Sequence, residues 1–235
     1  MRQVTTEKQA EGFALLTNGK LLKTPLGNNI ILPNQKLADA VAAEWAGQGS
    51  VLKKEQMPLT QIACIAMDMA RKKRAELVED ILSYTDTDLV CYRTGETPEL
   101  LAIQNEQLNP IIAWAKERFS IELTVTSGIM PVAQHPENKQ RISDQLAIYN
   151  EWQLAVFASA AKTLSSVILS LAFVEKFINA EKAFNLSHLE ETFETEKWGE
   201  DAEKETRLNK LKQEIIVAEK FIELLTYYPP PFAEV

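Results

Sequence analysis

The chain has 235 residues and a mass of 26.5 kDa, enough for one large domain or two small ones, and its 46% hydrophobic and 25% charged residues exclude disorder throughout. Lys+Arg 25 against Asp+Glu 33 gives a formal net charge of −8, which argues against a basic, nucleic-acid-coating protein. Only eight glycines are present, a poor supply for phosphate-binding loops and doubly wound folds, whose tight turns consume glycine.

The start, MRQVTTEKQAEGF, lacks the apolar core of a secretory signal and the acid-poor, Arg- and Ser-rich character of a transit peptide. FALL (13–16) and KLLKT (20–24) flank Asn18-Gly19, the dipeptide best suited to a type I′ hairpin turn. Gly27-Asn28-Asn29 supplies a second turn before IIL (30–32), so a three-stranded meander is expected over about residues 10–33, ending at Pro33. Such a sheet is too small to stand alone and must pack on something else. LADAVAAEW (37–45) then has helical spacing. TQIACIAMDMARKKR (60–74) predicts a helix after Pro58 with Thr60 as N-cap and Gln61, Cys64, Asp68 and Arg71 on a polar stripe. Thr97-Pro98-Glu99 is a helix start, Pro110 is expected to open another helix ending near Phe119, and ELTVTSGI (122–129) reads as extended.

Between Pro136 and Pro229 only Gly199 interrupts, so that interval is expected to be mostly helix. WQLAVFASAAKTLSSVILSLAFV (152–174) is long enough to cross a bilayer, but Ser159, Lys162, Thr163, Ser166 and Ser170 recur along one side. Lys162 alone would add about 2.5–3.5 kcal/mol to insertion, so the central helix of a bundle is the better reading. Ser187 and Glu190 match a capping box. Leu208, Leu211, Ile215, Ala218, Ile222 and Leu225 form a seam on the last helix, to pack on another helix of the same domain. The tail YYPPPFAEV reads as extended or loose. The expected fold class is α+β: a small N-terminal antiparallel β-meander domain with one helix (1–55), packed with a larger all-helical domain (56–228), then a Pro-rich tail (229–235).

Chemistry is sparse. His135 and His188 have no companion at metal-ligand spacing, so neither a metal nor a cofactor site is expected. Cys64 and Cys91 cannot form a disulfide framework and suit a reducing compartment. Gly19-Lys20 is followed by leucine and no G-x-G-x-x-G exists, so phosphate loops fail. The run Arg71-Lys72-Lys73-Arg74 reads as cations at a helix end. Charge, however, is concentrated: Glu190, Glu191, Glu194, Glu196, Glu200, Asp201, Glu203 and Glu205 stand against Lys197 and Lys204, so this segment holds −6 of the chain's −8. A solvated helix face is the ordinary reading of such a run. Trp198-Gly199 in its middle suggests instead an aromatic anchor with an acidic rim, a protein-binding surface.

Several short motifs occur in order: Thr24-Pro25, Leu32-Pro33, A-A-E-W (42–45) with Gln48, M-P-L-T (57–60), Asp68, Y-T-D-T-D-L-V-C-Y-R (84–93), Gln104, Asn109-Pro110 before Trp114-Ala115, T-S-G-I (126–129), and Trp198-Gly199 followed by acids. Together they resemble the assembly chaperones for the alpha subunit of the F1 ATPase, found in mitochondria and some bacteria. The resemblance implies a protein that binds unassembled alpha subunit, prevents its aggregation until the beta subunit takes over, and is no enzyme. It implies client binding by the acids after Trp-Gly, here Glu200, Asp201 and Glu203 beside Trp198. Arg93 either holds a loop through Asp86 or Asp88 or faces the client, whereas Trp45, Trp114 and Tyr92 read as core. A bacterial member working in the cytoplasm, monomeric when free, with no nucleic-acid partner and no stable membrane insertion, is the expectation. The competing readings are a hydrolase pairing Cys91 with a histidine, and a membrane-peripheral protein using residues 152–174 or the basic run.

Overall fold

The structure is a computed structural model that describes residues 3–49, 51–94, 97–127, 132–199 and 202–225. It divides into two units: Met1–Leu77 with Asn150–Val156 and Val217–Val235, and Val78–Tyr149 with Phe157–Ile216. Together they make an α+β fold with a small N-terminal antiparallel sheet and a larger helical part.

The first unit holds the sheet. Strand β1 (Val4–Gln9) pairs along the whole of β2 (Gly12–Thr17), and β3 (Lys20–Leu21) and β4 (Ile31–Leu32) share the opposite edge of β2. Asn18 (φ 49°) and Gly19 (φ 73°) both take the left-handed conformation that the expected turn demands. Two features differ from a simple meander. Strand β1 is additional, because VTTEKQ carries too few apolar residues to announce an edge strand. Strand β4 ladders with β2, through Phe13–Leu32 and Ala14–Ile31. Helix α1 (Gln35–Ala46) is capped by Asn34, whose Oδ1 accepts from Leu37 N at 3.0 Å. It packs on the sheet and buries Leu37, Ala38, Val41 and Trp45.

The predicted helix over 60–74 is three pieces. Helix α2 (Pro58–Cys64) leads into a π-helical turn (Ile65–Ala70), and α3 (Arg74–Leu82) follows. Thr60 does not cap α2; the carboxylate of Glu44 on α1 does, accepting from Leu59 N and Thr60 N, both at 2.8 Å, and from Thr60 Oγ1 at 2.7 Å. Asp68, expected on the polar stripe, is buried because it accepts from the turn Thr24–Asn28.

In the second unit a short strand β5 (Tyr92–Arg93) precedes α4 (Pro98–Phe119) and pairs in parallel with β6 (Thr126–Ser127). Helix α4 runs through Pro110, where a fresh start was expected. Glu106, Asn109 and Pro110 are all exposed, so water can satisfy the carbonyl that the proline leaves unpaired. Then come α5 (Glu137–Ile148), α6 (Glu151–Leu164), α7 (Val167–Val174), α8 (Ala180–Ser187), α9 (Leu189–Trp198) and α10 (Ala202–Leu224), of which the start of α6 through Val156 and the end of α10 from Val217 are assigned to the first unit.

The stretch 152–174 is therefore two helices, broken at Ser165 (φ 50°). Ser166 caps α7, and Ser166 and Ser170 are fully buried, so this part of the expected polar side is an internal hydrogen-bonding device, whereas Lys162 on α6 is exposed. Among the described residues no helix is long and apolar enough to cross a membrane. The capping box also fails: Ser187 Oγ donates back to Phe184 O at 2.9 Å, leaving α9 without a side-chain cap. On α10, Ile215, Ala218, Ile222 and the following Leu225 are buried, whereas Leu208 and Leu211 are half-buried. The tail 229–235, and Gly128 and Ile129 of the extended stretch, lie outside the described residues.

Candidate functional site

Helices α9 and α10 form a hairpin that carries the acidic segment. Gly199, with φ 94° and ψ 171°, ends α9 in a conformation that side chains disfavour, and its N–H closes on Thr195 O at 3.0 Å. Two ion pairs brace the hairpin: Glu194 with Lys204 at 3.3 Å, and Glu191 with Arg207. Glu194 and Lys204 each stand five residues from Gly199, and Glu191 and Arg207 each stand eight, as an antiparallel pair folded about that glycine requires. Phe193 plugs α9 into the unit, with Lys197 Nζ 4.3 Å from its ring centroid and 2.7 Å from Glu99 of α4.

Trp198 is the last residue of α9 and is 75% exposed, more than any other large hydrophobic side chain among the described residues. On the same hairpin Glu190, Glu196 and Glu205 have no cation within ion-pair distance among the described residues, and Glu203 is exposed on the first turn of α10. Glu200 and Asp201 lie outside the described residues. The structure thus brings Trp198 and Glu203 onto one braced element. Lys204 and Arg207 are the braces; the sequence showed Lys204 only as a charge set against the acids and did not single out Arg207, and the signal available was their placement opposite Glu194 and Glu191 about Gly199.

Arg93 is placed differently. It is 3% exposed, and its Nη1 donates to Val90 O at 2.6 Å and Tyr92 O at 3.0 Å. Its Nε and Nη2 reach Asn105 Oδ1 and Asn109 Oδ1 on α4, both at 3.3 Å. Burial lowers its pKa from the ordinary value. Neither expected aspartate is its partner. Asp86 pairs with Lys139 at 2.6 Å, and Asp88 accepts from Ser166 Oγ (2.6 Å), Ile168 N (3.0 Å) and Val90 N (3.2 Å). Trp45 is buried, Tyr92 is half-buried, and the half-buried Trp114 stacks on Phe177 at 4.8 Å.

The cysteine-hydrolase reading meets the wrong electrostatics. Cys91 is fully buried, and burial, with Asp88 adding to it, pushes its thiol up to about 12, against the thiolate a nucleophile needs. Burial likewise pushes Cys64 up to about 11. His188 stacks on Phe184 and its Nδ1 lies 2.7 Å from Ser187 Oγ; His135 accepts from Glu137 N. Among the described residues no cluster of three or more His, Cys, Asp or Glu could hold a metal ion.

Residues 2–116 match the family model described as ATP12 chaperone protein. The mitochondrial protein atp12 of Schizosaccharomyces pombe is 29% identical over 232 residues, which cover 91% of this chain and 80% of that protein. The crystal structure of Atp12 from Paracoccus denitrificans shares a TM-score of 0.85 and 30% identity, covering 94% of this chain and 95% of that one. A lysine-for-aspartate variant of the same Atp12p also matches with a TM-score of 0.85, covering 94% of each chain. The chain belongs to the ATP12 chaperone family, the assembly factors of F1 ATP synthase.

Proposed function

We propose that the chain binds the unassembled alpha subunit of F1 ATP synthase, keeps it from aggregating and releases it to the beta subunit, using the α9–α10 hairpin as its client-binding surface. The observation that carries this reading is an exposed tryptophan on a braced hairpin that holds most of the chain's excess negative charge. An orphan subunit exposes an interface sized like obligate ones, on the order of 2,000 Å² or more. A partner covering it lowers the concentration of the aggregating species by mass action. That partner must later leave, and rim charges steer association more than they hold it. Trp198 would supply the apolar anchor and Glu203, with Glu200 and Asp201, the acidic rim. Arg93, 3% exposed, fixes β5 to α4 and presents no surface to a client. The chain acts by binding and not by catalysis, without cofactor, as a monomer in the cytoplasm of a bacterium.

The test is aggregation of purified alpha subunit, followed by light scattering, with the chain titrated in. Replacing Glu200, Asp201 and Glu203 together by Lys, or Trp198 by Ala, should weaken capture while circular dichroism and the melting temperature stay unchanged. Variants that hold alpha in solution at wild-type concentrations would show the assignment to be wrong. Recovery of alpha without beta on the immobilised wild-type chain is the result expected from a native lysate.

A further inference from the structure

The first unit carries a second exposed apolar tip, in the turn Thr24–Asn28. The turn is closed by Thr24 N donating to Asn28 O at 2.8 Å and Gly27 N donating to Thr24 O at 2.9 Å. Asn28 N donates to Thr24 Oγ1 at 3.1 Å. Beneath it lies Asp68, 5% exposed, whose Oδ1 accepts from Thr24 Oγ1 and Asn28 Nδ2, both at 2.6 Å, and whose Oδ2 accepts from Leu26 N at 3.4 Å. Asp68 is presented by the π-helical turn, an irregularity found frequently at functional sites. From the other side Lys72 Nζ donates to Asn28 Oδ1.

Pro25, Leu26 and Gly27 all face solvent, and Leu26 is 61% exposed. A lone exposed leucine is ordinary. A leucine held out on a turn fixed by a buried carboxylate is preorganised, which removes the ordering cost of docking. Closing the loop does not require it, since only the backbone of residue 26 takes part in the network.

The surroundings are basic, although the chain as a whole is acidic. Lys23, exposed and next to the turn, has no carboxylate within ion-pair distance among the described residues, and Lys72 rests on an amide. Arg71 and Lys73 beyond it are paired with Glu151 and Glu76. The complement of such a tip is an apolar pocket rimmed by carboxylates.

We infer that the Thr24–Asn28 turn is a second client-docking point, with Leu26 entering an apolar pocket on the F1 alpha subunit whose acidic rim faces Lys23 and Lys72. The inference rests on the client reading above but uses different residues. Leu26→Ser, Leu26→Asp and Lys23→Glu are compared with the wild-type chain in capture of purified alpha subunit. Each side chain is exposed, so melting temperatures should be unchanged. Burying a leucine is worth about 1.5–3 kcal/mol, so Leu26→Ser should weaken capture about tenfold or more. Lys23→Glu should weaken it about threefold at low ionic strength, with the difference shrinking in high salt. Leu26 variants that capture alpha at wild-type concentrations, while the hairpin variants fail, overturn this inference alone. Failure of the wild-type chain to hold alpha at all overturns the client reading and this inference together. A wild-type dimer that Leu26→Ser abolishes would assign the tip to self-association and equally overturn it.

Discussion

Asp88 joins the loop before β5 to the start of α7, and replacing it by Asn separates the two forces acting on it. It is 1% exposed and accepts from Ser166 Oγ, Ile168 N and Val90 N. Burial is the larger effect and raises its pKa; the hydrogen bonds from Ser166 and from the amides of Ile168, Val90 and Val167 pull it back only in part, leaving it at about 6 against an ordinary 3.8. A carboxyl whose folded pKa is raised binds its proton more tightly in the fold. Its contribution is therefore fully present below pH 4 and is lost as pH rises through 6. Two pK units at 1.36 kcal/mol each make that loss about 3 kcal/mol. Asp88→Asn cannot ionise, so the wild type should lose about 3 kcal/mol relative to it between pH 4 and pH 7. Asp88→Ala, which strands the donors, should be less stable than Asp88→Asn throughout, by about 1–3 kcal/mol for each buried donor left unsatisfied. Urea unfolding followed by tryptophan fluorescence across that range gives the differences directly, with all other titrations cancelling. A wild type that gains on Asp88→Asn as pH rises would refute the reasoning, because the hydrogen bonds would then outweigh burial.

Other consequences can be read in the same way. Glu44→Ala removes the acceptor for Leu59 N, Thr60 N and Thr60 Oγ1; it should cost about 1–2 kcal/mol, the range of a lost helix cap, and an unshifted urea midpoint would exclude that role. Cys91, fully buried with its thiol pushed up to about 12, should resist alkylation at pH 8 until the chain unfolds, and native labelling at the rate of a free thiol would contradict its burial. Lys204→Glu should speed amide exchange over residues 191–198 while shifting global stability by less than about 1 kcal/mol, and adding Glu194→Lys should restore protection.

The sequence showed where signals are local and left dark what depends on distant partners. Asn18-Gly19 specifies a turn from neighbouring atoms alone and stands where it was read; Asn34 caps α1 through an equally local bond. Thr60 looked like a cap because it follows Pro58, but Glu44, remote in sequence, outcompetes it. Ser166 and Ser170 read as part of a polar side, because spacing cannot distinguish water from a buried partner of a hydroxyl, here Asp88 for Ser166 and the Ser166 carbonyl for Ser170. Pro110 reads as a helix start wherever its solvent exposure is unknown. At the candidate site the acidic segment and Trp198 were visible as composition. The braces were not, because Gly199 marks a break between helices without specifying that they fold back on one another, which is what sets Lys204 against Glu194 and Arg207 against Glu191.

The acids of this chain divide by what they accept from. Glu44, Asp68 and Asp88 each take backbone N–H groups, together with a hydroxyl, from a segment remote in sequence. Moving such a carboxylate by an ångström breaks a cap, so these positions must be exact in type and place. They lie in or beside the short ordered motifs by which the family is recognised. Two of the acids near Trp198, Glu194 and Glu191, pair instead with the flexible cations Lys204 and Arg207. A surface that attracts a partner through summed charge tolerates one glutamate shifting by a turn, because the field at a distance depends on the total. The motifs therefore specify the fold, whereas the proposed client surface is specified by charge density and one exposed indole. Rim charges are screened over about 8 Å at physiological salt, and buried caps are not. A chaperone built this way would lose its client in rising salt well before it lost its structure.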